Sequence, residues 1–146
     1  MNTIGQLLES KSKDIWSIAP NATVFEALRI MAQKNVGVLL VIDKEKLVGI
    51  FSERDYARKV ILEGKSSKDT AVGELMTKDV YYIAPKNTLH ESLAVMTSRR
   101  IRHMPVLEND RLIGIVSIGD VVKQIIANQE FTIRELEKYI SGSYDR

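Results

Sequence analysis

The stretch GIFSERD at residues 49–55 is answered by GIVSIGD at 114–120, each a glycine, two apolar residues, a serine, two free positions and an aspartate. Working outward from this pair, residues 15–61 lie over 80–126 without a gap, at a displacement of 65 positions. Ile18/Ile83, Pro20/Pro85, Thr23/Thr88, Glu26/Glu91, Leu28/Leu93, Met31/Met96, Val41/Val106, Gly49/Gly114, Ser52/Ser117 and Asp55/Asp120 are identical pairs. Two copies are too few for a solenoid, so the pattern reads as a pseudo-twofold duplication. It divides the chain into residues 1–70, with an N-terminal segment and a linker, and residues 71–146.

Each copy predicts a strand, a helix, two strands and a helix, an α+β (α/β) arrangement. The first strands are expected at 15–18 and 80–83, each ending before a proline that cannot donate to a sheet ladder. Thr23 with Glu26, and Thr88 with Glu91, have capping-box spacing. GVLLVI and MPVL read as buried strands, joined by the polar loops DKEK and ENDR to LVGIF and LIGIV. Helices are expected over 53–62 and 118–128. The segment EGKSSKDTA at 63–71 reads as a solvated linker. Phe131, Ile133, Leu136, Tyr139 and Ile140 predict one more amphipathic helix, ending near Gly142.

Composition narrows the function. The chain of 146 residues is 45% hydrophobic and 27% charged, with a formal net charge of +2. That is far from the basic excess of a protein built to hold phosphate backbone. The absence of cysteine excludes disulfides and thiolate metal sites and suits a reducing cytoplasm. No 18-residue apolar run or signal-peptide pattern occurs, so a soluble cytoplasmic protein with no membrane partner is expected. The two histidines, His90 and His103, argue against a metal cluster. No acid–base or nucleophile set stands out, so an enzyme is not expected.

The Ser-x-x-Asp tetrads admit two readings. Serine can cap a helix N-terminus with the acid three residues on, which satisfies orphan backbone donors. The same geometry can receive a ligand: free N–H groups and the serine hydroxyl take a phosphate, while the aspartate accepts from ribose hydroxyls. Gly49 and Gly114, upstream, would let another chain segment approach closely.

With GIFSERD and GIVSIGD after the third strands and RHMPV at the second, the repeat resembles a tandem CBS-domain pair (a Bateman module), over about 15–127. SERDYARKV, SSKDT, IRHMPVL, SIGD and QEFTIRELEKYI are similar to small stand-alone bacterial proteins of this kind. The resemblance implies a regulatory module whose two repeats pack through their sheets and bind adenosine-containing ligands, AMP, ATP or NAD(H), in two clefts. One cleft would join Ser52 and Asp55 to Tyr82, Ile83, Arg102, His103, Met104 and Pro105. The other would join Ser117 and Asp120 to Ile18, Gly37, Val38 and Leu40. Arg54, Arg58, Arg102 and His103 would make the first cleft rich in phosphate ligands and the second lean, since Gly37, Val38, Ile118 and Gly119 take matching positions. A homodimer through the CBS helices and an effector protein are further implied partners. The competing reading is nucleic-acid binding by the basic cluster at 99–102.

Overall fold

The computed structural model describes residues 1–11 and 14–141, and it contains two sheets, each with its own apolar core. The chain order is α1 (Ile4–Ser10), β1 (Ser17–Ile18), α2 (Val24–Lys34), β2 (Val38–Asp43), β3 (Lys46–Ser52) and α3 (Glu53–Asp55). α3 continues as a π-helical stretch, Tyr56–Ile61. Then come α4 (Val72–Leu75), α5 (Leu89–Arg99), β4 (His103–Glu108), β5 (Arg111–Ser117) and α6 (Ile118–Ser141). β1 pairs parallel to β2 and β2 antiparallel to β3; β4 and β5 form an antiparallel pair. β3 meets β5, so the repeats pack through their sheets.

The duplication is reproduced in local geometry. Thr23 and Thr88 cap α2 and α5 with their hydroxyls, and both helices stop at a left-handed residue, Asn35 and Arg100. The hairpins turn through Lys44-Glu45 and Asn109-Asp110, all four with positive φ, the arrangement that matches the twist of paired strands. Both hairpins carry a register shift at the same place, Val41/Ile42 and Val106/Leu107.

Three expectations need correction. The strand anticipated at 80–83 is reduced to a single bridge from Ile83 to Val106. In the first repeat Leu40 N–H donates to the Trp16 carbonyl at 3.1 Å; the matching position in the second is Pro105, which has no N–H, so this rung cannot form. The helix anticipated at 118–128 and the separate tail helix are one continuous element, α6. Its expected end near Gly142 lies outside the described residues. The linker at 63–71 is tied down at its end: Thr70 is buried, Phe25 N–H donates to the Ser67 carbonyl and Val24 N–H to that of Thr70.

Packing crosses the sequence boundary at 70/71 twice. Ile4, Leu7 and Leu8 of α1 join Ile83, Leu89, Met96, Met104, Val106, Val116 and Val121 in the second core. Val72 and Leu75 of α4 join Val24, Met31, Leu39, Val41, Phe51 and Val60 in the first. Gly5 N–H donates to the Pro85 carbonyl at 2.9 Å, and Gly73 N–H to that of Pro20 at 2.8 Å. TIGQLL at 3–8 therefore answers AVGELM at 71–76, at a displacement of 68 positions. Each repeat is completed by a short helix that precedes the other in sequence.

Candidate functional site: a cleft between the two repeats

β5 delivers Ser117 to the N-terminus of α6. Asp120 N–H donates to Ser117 Oγ at 3.0 Å, and Ser117 N–H donates to Asp120 Oδ2 at 3.0 Å, a reciprocal cap. A second donor reaches Asp120 Oδ2 from far away in sequence: Lys11 Nζ lies 2.7 Å from it and 2.9 Å from the Ile115 carbonyl oxygen. These bonds leave Asp120 Oδ1 unused.

Asp120 and Lys11 stand in a cleft of about 430 Å³. Ser117, Ile115 and His103 of the second repeat line one side of it. Gly37, Val38 and Leu40 of the first repeat line the other, with Ile15, Trp16, Asn35 and Val36. The volume falls in the range of small-molecule sites, about 300–1,000 Å³. Its lining combines apolar walls with a few converging polar groups. At Gly119 an added methyl carbon would meet only Ser117 Oγ, at 3.7 Å, so the first turn of α6 has open space beside it.

Electrostatics follow from this packing. Burial pushes the Asp120 carboxyl up, but the Lys11 hydrogen bond, the Ser117 N–H and the Lys11 charge outweigh it and hold the group below its ordinary range. Burial drives His103 below its usual value; Lys11 and Arg102 push the same way and Asp120 opposes them. His103 is thus neutral at pH 7.

The expected residues separate into those gathered here and those placed elsewhere. Gly37, Val38 and Leu40 meet Ser117 and Asp120 as anticipated. Ile18 does not: it is buried in the first core, and Ile15 and Trp16 face the cleft in its stead. His103, expected with Ser52 and Asp55, lines this cleft because β4 pairs it directly with Ser117. The reading of this cleft as lean in phosphate ligands left out Lys11, which lines it.

Around the other tetrad the arrangement is closed. Asp55 is 6% exposed. Its Oδ2 accepts from Ser52 N–H at 2.9 Å and from Ser52 Oγ at 3.1 Å, and its Oδ1 from Thr77 Oγ1 and Lys59 Nζ, each at 3.0 Å. Four bonds use the acceptor capacity of a carboxylate. Ile83 and Met104 lie in the second core and Pro105 is buried, whereas Tyr82 is 65% exposed. Arg54, Arg58 and Arg102 are exposed. Within the 99–102 cluster, Arg99 stacks on Tyr81 at 5.0 Å, and Arg100 terminates α5 in the left-handed conformation.

Lys11, Trp16 and Asn35 were missed by the sequence reasoning. The one trace of α1's placement in the sequence is the short repeat at 3–8 and 71–76, which is out of register with the main repeat and ends before Lys11.

The fold and this cleft define a paired regulatory module, and the comparisons agree. The CBS-domain sequence profile matches residues 5–62 and 72–127, and the chain belongs to the CBS-domain family. CBS-domain proteins are regulatory, signal-transduction modules. The chain is 38% identical, over 97% of its length and 73% of the relative's, to CBS domain-containing protein CBSX3, mitochondrial, of Arabidopsis thaliana. It superposes with a TM-score of 0.83 and 46% identity on a candidate signal-transduction protein with CBS domains from Burkholderia ambifaria MC40-6, covering 87% of this chain and 96% of that one. A CBS-domain protein from Agrobacterium tumefaciens gives a TM-score of 0.79 at 36% identity, over 84% and 98% of the two chains. Among the described residues no helix is long and apolar enough to cross a membrane.

Proposed function

We propose that the protein is a sensor that binds an adenosine-containing nucleotide (AMP, ATP or NAD(H)) in the Ser117/Asp120 cleft and passes its occupancy to an effector protein. The observation that carries this is the meeting, in one cleft of about 430 Å³, of a helix N-terminus, a half-buried aspartate with an unused oxygen and apolar walls from the other repeat. The base would lie against Trp16, Val38 and Leu40. Asp120 would accept from the ribose hydroxyls, and the phosphate would sit at the first turn of α6 beside Ser117 and Gly119. Binding that bridges both repeats favours one arrangement of the pair over others, which is how a ligand shifts a regulatory equilibrium.

Titration calorimetry with AMP, ATP and NADH tests this. Binding at one site per chain is expected, weakened about tenfold or more in Asp120→Ala, because a charge-assisted hydrogen bond contributes ~1.5–3 kcal/mol. Unchanged affinity in that variant would refute the ribose assignment.

We further infer a homodimer. Val122, Ile126, Ile133, Leu136 and Ile140 are exposed on α6, and with Gln129 they alternate spacings of four and three along the helix. That is a heptad seam with isoleucine at the a positions and Val122, Gln129 and Leu136 at d, a pattern that favours pairing with a like helix. Ile61 and Leu62, also exposed, add to the apolar surface outside the cores.

A further inference from the structure

Lys11 is the one cation among the described residues lining the cleft, and its place there is built. It follows α1 directly, and α1 is anchored by Ile4, Leu7 and Leu8 in the second core. Its side chain is 26% exposed. Of the three acceptors an ammonium can serve, the structure supplies two, Asp120 Oδ2 at 2.7 Å and the Ile115 carbonyl at 2.9 Å. The ion pair therefore occupies one oxygen, Oδ2, of the carboxylate on which the ribose would depend, and it holds a positive charge beside the N-terminal turn of α6. In the other repeat, Lys59 pairs with Asp55 from the same helical stretch, at i+4, and donates to the Leu75 carbonyl, so that cation belongs to a closed network.

We propose that Lys11 is the phosphate ligand of this cleft, and that its ion pair with Asp120 is a resting contact exchanged on binding: the phosphate takes Lys11 and the ribose takes Asp120. This rests on the nucleotide reading above and adds a specificity to it. A phosphorylated adenosine engages both halves of the opened pair. Unphosphorylated adenosine finds only Oδ1 of Asp120 free, must compete with Lys11 for Oδ2 if both ribose hydroxyls are to be held, and gains nothing from the cation. The cleft thus selects for the phosphate by making its absence costly.

The two ligands should respond differently to Lys11→Met. AMP binding is expected to weaken about tenfold or more, the loss of one charge-assisted bond to phosphate. Adenosine binding is expected to be unchanged or tighter, because Asp120 is released from its competitor. Lys11→Arg, which keeps the charge, should retain a preference for AMP, and circular dichroism of both variants verifies that α1 still docks. Titration calorimetry of wild type and variants with adenosine and with AMP reads the outcome. Equal losses for adenosine and AMP in Lys11→Met would overturn the exchange while leaving the nucleotide reading standing. Failure of wild type to bind either ligand would overturn that reading and the exchange with it.

Discussion

Thr77 donates its hydroxyl to Asp55 Oδ1 across 3.0 Å, and with Lys59 and Ser52 it completes the carboxylate's hydrogen bonds inside the protein. Asp120, its equivalent in the second repeat, keeps Oδ1 out of these bonds and borders an open cleft. One duplicated aspartate is a structural brace and the other faces an open cleft. Asp55→Ala is therefore expected to lower unfolding stability by roughly 2–4 kcal/mol, because it strands partly buried donors and removes a buried carboxylate from its pair with a part-exposed lysine. Asp120→Ala should cost clearly less. Urea denaturation of the two variants, side by side, measures this; equal losses would remove the distinction.

Gly49 and Gly114 admit the swapped helices. A methyl carbon at Gly49 would lie 2.7 Å from Met76 Sδ and 2.8 Å from the Thr77 carbonyl oxygen; at Gly114 its nearest contact is Leu8 Cδ2, at 2.8 Å. A side-chain end can rotate away, but the Thr77 carbonyl is fixed by its bond from Ile50 N–H. Gly49→Ala should destabilise by about 1–3 kcal/mol, as overpacking does, and Gly114→Ala by less. Thermal unfolding of both variants checks the order.

Much of this was legible in the sequence because the duplication is nearly gapless. The paired capping threonines, the hairpin loops and the two tetrads all fall where a displacement of 65 puts them. The contribution of α1 was not legible, because its repeat partner lies at 68 and a change of register hides seven residues from a gapless comparison. Lys11 was lost with it. The fate of Asp55 was half hidden: Lys59 stands four residues on along the same helical stretch, a local pair, but Thr77 reaches it through packing that no local pattern specifies. The loss of the strand at 80–83, by contrast, could have been read from Pro105, whose missing donor removes a rung of the ladder.

His103 gives a pH signature. Folding lowers its pKa below 6.5, through burial first and then the charges of Lys11 and Arg102, against the pull of Asp120. The folded protein then binds fewer protons than the unfolded chain, so this group's contribution is present above the unfolded pKa and is lost as pH falls through 6.5 toward the folded value. Proton NMR of the imidazole should find its midpoint below 6.5 and find it raised in Lys11→Met. A midpoint at or above 6.5 would contradict the packing of His103 in the cleft wall.

The α6 seam should hold a dimer. Light scattering at micromolar concentration is expected to give twice the chain mass, and the double substitution Ile133→Glu with Leu136→Glu to weaken association strongly. Each apolar side chain withdrawn from water contributes about 1.5–3 kcal/mol, and a buried glutamate reverses the sign. A monomeric wild type would refute this interface.

Trp16 is the chain's one tryptophan and lines the cleft, so its fluorescence reports on this site. Titrating AMP while following Trp16 emission tests the central claim most directly. A saturable change is expected in the wild type, displaced to about tenfold or more higher AMP in Asp120→Ala. No AMP-dependent change up to millimolar concentration, or the same curve in Asp120→Ala, would contradict the claim that the Ser117/Asp120 cleft is the nucleotide site.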